Sequence, residues 1–130
     1  MGNASFNAPG LKKIPVQNTV FVDYLYGDDT TGVVERLDKP FKTRAAALTA
    51  IDNYYVGGNA LSALNRVLVK VFAGTDNQRI RLKQFVDYDL GDSVINHDIA
   101  GQNTIDDGGI AIQCTIYGNA QIFKTAGGTG

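Results

Sequence analysis

Short runs of alternating apolar and polar residues fill the chain from residue 66 onward, and this pattern limits the possible folds more than any other feature. In a strand, successive side chains point to opposite faces, so the alternation predicts strands with one buried face. Turns rich in Gly, Asn and Asp separate the runs, and no second helical segment follows residue 65. The residues predicted to face inward are Val67, Val69, Val71, Ile80, Leu82, Val86, Tyr88, Leu90, Ile110, Ile112, Cys114 and Ile116.

Each of these strands is too short to bury its own apolar face. Stacking equivalent strands would create one continuous core, which favours a solenoid. A β-sandwich of short strands would produce a similar alternation, so the pattern leaves both architectures open.

One strand and one helix are predicted before residue 66. The strand runs from Thr19 to Tyr26 and is followed by a polar turn at residues 27–32. Thr43 is the predicted N-cap of a helix that ends before Gly57-Gly58. The helix carries a single apolar stripe, which predicts that it covers one surface of the core; the stripe consists of Ala45, Leu48, Ile51 and Tyr55.

Several segments together resemble the opening of the pectate-lyase-like right-handed parallel β-helix superfamily. They are Thr19-Val20-Phe21-Val22-Asp23, the turn at 27–32, Lys39-Pro40-Phe41-Lys42-Thr43 and Ala45-Ala46-Ala47-Leu48. The stretches 67–74, 80–92 and 104–118 are similar to coils of β-helical phage tail proteins. The resemblance covers residues 18 to 125 and implies a mostly β fold: the start of a right-handed parallel β-helix with one N-terminal capping α-helix.

This interpretation divides the chain into three parts. Residues 1–17 form an extended N-terminal arm, either a disordered leader or a segment that orders on docking to a partner. Residues 18–65 hold the first strand, the turn and the capping helix, and residues 66–130 hold the first coils. The closing residues 127–130 predict neither a helix nor a capping repeat. We therefore expect the coils to continue beyond the chain end, or a partner to cover them, and the chain expressed alone to aggregate.

Composition excludes several classes of function. Twelve basic and thirteen acidic residues give a net charge of −1, so no general basic field attracts nucleic acid or anionic lipid. A single cysteine excludes a disulfide framework and a multi-cysteine zinc site. No apolar run approaches the ~20 residues that a membrane helix needs. The opening residues 1–6 lack the pattern of a secretory signal, which favours assembly in a host cytoplasm.

Carboxylates are the first candidates for chemistry. Asp28-Asp29 could bind calcium, but the spacing of a calcium-binding loop is missing and a turn is favoured. Adjacent Asp106-Asp107 could serve polysaccharide cleavage, yet neighbouring strand residues face opposite sides and Gly108-Gly109 favours a turn. Motifs of the hydrolases of this superfamily (Asn-Thr-Asp-Gly, Gly-His-Gly and Arg-Ile-Lys) are absent.

Other polar residues are predicted to be structural. An acidic row consists of Asp87, Asp89 and Asp92, and a basic row consists of Arg79, Arg81 and Lys83. Both rows are expected to be solvated faces, and their charges are expected to pair laterally if the two strands stack. His97 is predicted at the surface or in a turn, and Cys114 as a small buried apolar residue. We therefore expect no catalytic, cofactor-binding or metal-binding residues, and for the residues present we lean against an enzyme.

The resemblance implies a structural virion component: the N-terminal attachment region of a phage tail fibre or tailspike involved in host recognition. Such a protein is expected to be a homotrimer, to dock to other tail or baseplate proteins through residues 1–17, and to contact cell-surface glycan through downstream regions. Its expected location is the virion, after assembly in the host cytoplasm. The alternative is the N-terminal part of a β-helical polysaccharide lyase or hydrolase whose active site lies downstream. A surface adhesin is disfavoured by the missing export signal.

Overall fold

The computed structural model describes residues 18–97 and 100–123. The predicted arm at residues 1–17 and the closing residues 127–130 lie outside the described residues. One helix and nine short strands occur in the described part, in the order β1 (Asn18–Val22), α1 (Arg44–Tyr54), β2 (Val67–Val71), β3 (Thr75–Asp76), β4 (Ile80–Arg81), β5 (Val86–Asp89), β6 (Val94–Asn96), β7 (Ile105–Asp106), β8 (Ile116–Tyr117) and β9 (Gln121–Phe123). A single 3₁₀ turn at Gly57–Asn59 follows the helix.

The strands form three separate parallel sheets. One has the order β1-β2-β5-β8, the second β3-β6-β9 and the third β4-β7. From β2 onward, the chain visits the first, second and third sheets in turn and then repeats the circuit. Every pairing between these strands is parallel. The mostly-β prediction with one helix is therefore confirmed.

The core lies between the three sheets. Its residues come from equivalent positions of successive strands, since Val20, Val69 and Tyr88 follow one another in register and all are fully buried. Ile80 and Ile95 contribute from the other two sheets. The alternation predicted for residues 67–71 is confirmed because Val67, Val69 and Val71 are buried while the residues between them are half-buried.

Helix α1 begins where the sequence predicts. Thr43 is its N-cap, and the Thr43 side chain accepts a hydrogen bond from the Ala46 N–H at 3.1 Å. Asp29 supports this start, because its carboxylate accepts from the N–H groups of Lys42 and Thr43 and from the Thr43 hydroxyl. The carboxylate thus fixes the entry to the helix from a distant turn.

The buried stripe of α1 differs from the predicted one. Ile51 and Tyr55 are buried as expected, but Ala45 is exposed and Leu48 only half-buried. The remaining buried positions are Ala47 and Arg44. A pattern of apolar residues excludes an arginine. The predicted stripe therefore contains Ala45 and Leu48, whereas the buried face contains Arg44 and Ala47.

Two predicted strands are shorter in the structure. β1 ends at Val22 because the Asp23 carboxylate accepts from the N–H groups of Leu25 and Tyr26, which turns the chain and leaves Tyr26 exposed. In the run 110–117 only Ile116–Tyr117 forms a strand, and Ile110 is exposed. Alternation alone therefore overestimates strand length where no neighbouring strand is available.

Candidate functional site

The three sheets finish together at one end of the stack. Ile105 in β7, Ile116 in β8 and Ile122 in β9 pair in register with Ile80, Tyr88 and Ile95 respectively. Those three partners are fully buried, whereas Ile105, Ile116 and Ile122 are 43%, 38% and 45% exposed. We call the surface formed by these three isoleucines the open end.

The open end combines apolar side chains with strand edges. Among the described residues, β8 pairs only with β5 and β9 only with β6, so each leaves one edge without a strand partner. Tyr117 and Phe123 next to the isoleucines are also largely exposed. Parallel sheets are normally buried and free edges promote strand addition, so this surface is suited to accept a further layer of strands.

The opposite end is closed by α1 and its first residue, Arg44. Val20 and Val22 of β1 are completely buried there, and Ala47 and Ile51 of the helix belong to the same core. The closed end therefore leaves no inward-facing valine of β1 in contact with solvent.

Arg44 is almost fully buried, and its guanidinium joins the helix to the segment after β3. It donates to the Asp76 carboxylate at 3.1 and 3.0 Å, to the carbonyl oxygens of Gln78 and Arg79 at 2.9 and 3.0 Å, and to the Tyr24 hydroxyl at 3.1 Å. Burial raises the pKa of the Tyr24 hydroxyl above its ordinary value. A buried charge is tolerated only when it is paired and hydrogen-bonded, and these contacts meet that condition.

The acidic residues of β5 link successive layers. Arg66 contacts the Asp87 carboxylate at 3.0 and 2.7 Å, and the same carboxylate accepts from the Thr115 N–H at 2.8 Å. Lys70 contacts Asp89 at 2.9 Å, and this hydrogen bond lowers the pKa of Asp89. The expected solvated row is wrong for Asp87, which is buried.

The acidic and basic rows were expected to pair laterally only if their strands stack. This condition is not met, because β4 and β5 belong to different sheets. Arg79 and Arg81 instead approach Asp106 at 3.6 and 3.5 Å, and Lys83 approaches Asp52 of the helix.

The paired aspartates lie in a turn or directly before one, with Asp106 at the end of β7. The Asp28 carboxylate accepts from the N–H groups of Thr30 and Thr31. Asp106 and Asp107 accept from the N–H groups of Gly108 and Gly109 respectively. The turn interpretation is confirmed for Asp28-Asp29 and for the segment that follows β7. The carboxylates of Asp28, Asp106 and Asp107 bind the local backbone, while that of Asp29 binds the start of α1.

His97 is buried, so its prediction as a surface residue is wrong. Its ring nitrogens lie 3.3 Å from the Gln102 side-chain oxygen and 3.4 Å from the Thr104 hydroxyl. Cys114 is half-buried, and burial raises the pKa of its thiol. Cys114 is less covered than predicted because it lies in the last described circuit of the chain.

A groove lies beside α1, and sequence reasoning missed it. It consists of two adjoining clefts of about 440 and 360 Å³, which share Ala45, Leu48 and Arg81. No sequence signal identifies it, because the helix and β4 lie far apart in the sequence and meet only when the helix packs on β1 and β2.

The part of the chain that the structure describes contains no group of three or more His, Cys, Asp or Glu residues that could hold a metal ion. Within the same residues, no helix is long and apolar enough to cross a membrane.

Comparison of the chain with protein-family models, with curated proteins and with solved structures gives no match.

Proposed function

We propose that this chain is the capped beginning of a right-handed parallel β-helix and serves as a structural building block. The repeated circuit through three parallel sheets supports a β-helix, because in that architecture each turn of the chain adds one strand to each sheet. A right-handed path agrees with the strong general preference of parallel crossover connections.

The observation that carries this proposal is the difference between the two ends of the stack. α1 covers the first layer, while Ile105, Ile116 and Ile122 remain exposed on the last. A further circuit of strands would bury these side chains and pair the free edges of β8 and β9. We propose that such a circuit, supplied by further polypeptide, occupies the open end.

We further propose that the building block belongs to the attachment region of a phage tail fibre or tailspike. The resemblance of residues 19–48 supports this assignment. In this proposal, residues 1–17 dock to other tail or baseplate proteins, the fibre is a homotrimer, and glycan contacts lie in downstream regions. The carboxylates of Asp106 and Asp107 accept hydrogen bonds from the backbone N–H groups of Gly108 and Gly109, which supports a structural role for these two residues. The lyase or hydrolase alternative places its active site downstream of them.

Sedimentation velocity of the 130-residue chain tests the open end. We expect the unmodified chain to associate as its concentration rises, because exposed apolar strand edges attract one another. A double variant, Ile116→Lys with Ile122→Lys, should remain monomeric. The matched control is Leu64→Lys, which changes an 84% exposed leucine outside this surface and should leave association unchanged.

A monomeric unmodified chain over the same concentrations would show that the open end is already covered and would contradict the proposal. The virion assignment is tested separately in the parent phage. Deletion of residues 1–17 should abolish incorporation into particles, and normal incorporation would contradict docking through the arm.

A further inference from the structure

The groove beside α1 has one helical wall and one strand wall. Ala45 and Leu48 line the helical side along both clefts. The opposite side is formed by β4 and its flanking residues, chiefly Gln78, Arg79 and Arg81. The combined space is within the size range of clefts that bind ligands.

The strand wall offers one backbone donor on the edge of β4 that faces away from β7. β4 pairs with β7 through the N–H groups of Ile80 and Leu82, which donate to the carbonyl oxygens of Thr104 and Asp106 at 2.7 Å each. In an extended strand, the N–H of the residue between them points to the opposite edge. That residue is Arg81, so its N–H is directed away from β7 and toward the groove.

No described residue accepts a hydrogen bond from the Arg81 N–H. The Arg81 carbonyl oxygen is satisfied, because it accepts from the Tyr88 hydroxyl at 2.6 Å. The groove therefore offers a backbone donor that matches the carbonyl of an added strand.

The strand wall is also positively charged. Arg79 and Arg81 share the single carboxylate of Asp106 at distances longer than a good hydrogen bond. The Arg81 side chain is 64% exposed, so it can turn to a second anion without breaking a strong contact. Lys83 is paired with Asp52 from the helix, which places a bridge between the two walls at one end of the groove.

We propose that this groove binds an extended acidic peptide segment of a partner protein, which accepts a hydrogen bond from the Arg81 N–H at the edge of β4 and pairs its carboxylates with Arg79 and Arg81. The N-terminal arm does not match this chemistry, because residues 1–17 contain two lysines and no acidic residue. An uncharged sugar is disfavoured, because the residues lining the two clefts include no Phe, Tyr or Trp ring on which it could stack.

Fluorescence anisotropy with the full 130-residue chain tests the proposal. The probe is a fluorescein-labelled nine-residue peptide of alternating glutamate and valine, used at low ionic strength. We expect saturable binding that Arg81→Ala weakens about fivefold, since an exposed ion pair contributes up to about 1 kcal/mol. Arg36→Ala is the matched control, because Arg36 is an exposed arginine paired with Asp38 and does not line the groove.

Backbone contact is tested by hydrogen exchange, which should show a rapidly exchanging Arg81 amide that the bound peptide slows. An exchange rate that the peptide leaves unchanged, or equal binding of a polygalacturonate oligomer of the same charge, would show a general anion site and overturn the proposal. A slowly exchanging Arg81 amide in the free chain would show that this N–H is already hydrogen-bonded, and would also overturn the proposal.

Discussion

The two ends of the stack are built from the same kinds of residue but differ in how they meet solvent. At the closed end, Ile51 of α1 is fully buried and Val20 below it is inaccessible. At the open end, Ile116 and Ile122 occupy inward-facing positions of equivalent strands and keep about two fifths of their surface exposed. An inward-pointing side chain is therefore buried only where a further layer of the stack covers it.

The largest effect is expected from Arg44, which holds the cap in place. Arg44→Met should destabilise the chain by about 3–5 kcal/mol, because it leaves the Asp76 carboxylate, whose side chain is only 12% exposed, without its cationic partner. Urea unfolding followed by circular dichroism measures the loss.

The matched control is Arg36→Met, which removes an ion pair between two exposed side chains and should cost no more than about 1 kcal/mol. Similar losses in the two variants would mean that the cap contributes little to the closed end.

The next effect compares isoleucines from the two ends. Ile51→Ala should cost about 2–5 kcal/mol, because it leaves a cavity beneath the helix. Ile122→Ala should cost about 1 kcal/mol or less, because its side chain is already partly in water. Thermal unfolding of the two variants under identical conditions gives the difference, and equal losses would indicate that the open end is covered in solution.

The smallest effect is the pH dependence of stability that comes from Asp89, which lies in a layer between the two ends. The hydrogen bond from Lys70 lowers the pKa of Asp89 in the folded chain below its ordinary value of 3.8. The resulting stabilisation is present above pH 3.8 and is lost as the pH falls through the lowered pKa. The free energy of unfolding, measured between pH 5 and pH 2 at about one-unit spacing, should therefore fall less steeply for Asp89→Asn than for the unmodified chain. An unchanged slope would show that this partly exposed pair does not contribute.

The sequence predicted the elements whose signals are local. Thr43 marks the helix start, and Val67, Val69 and Val71 show the strand alternation directly. The general fold class followed from the same patterns and from the resemblance at residues 19–48.

The sequence failed where burial depends on a distant partner. Arg44, Asp87 and His97 are polar residues in buried positions. The partners of Arg44 and Asp87 are distant in the sequence, and His97 is held by Gln102 and Thr104 through side-chain contacts that no periodicity reveals. The groove was missed for the same reason, since Arg81 and Leu48 become neighbours only after the helix has packed. The three isoleucines of the open end were predicted as apolar, but their incomplete burial depends on the last layer of the stack.

The contacts of Asp87 have a mechanical consequence. Its carboxylate is joined to Arg66, which precedes β2, and to the backbone N–H of Thr115, which precedes β8. Tension along the stacking axis would load both contacts together with the parallel hydrogen bonds between strands. Peeling away β8 would also remove the Thr115 N–H hydrogen bond from a buried carboxylate, so Asp87 resists the separation of neighbouring layers.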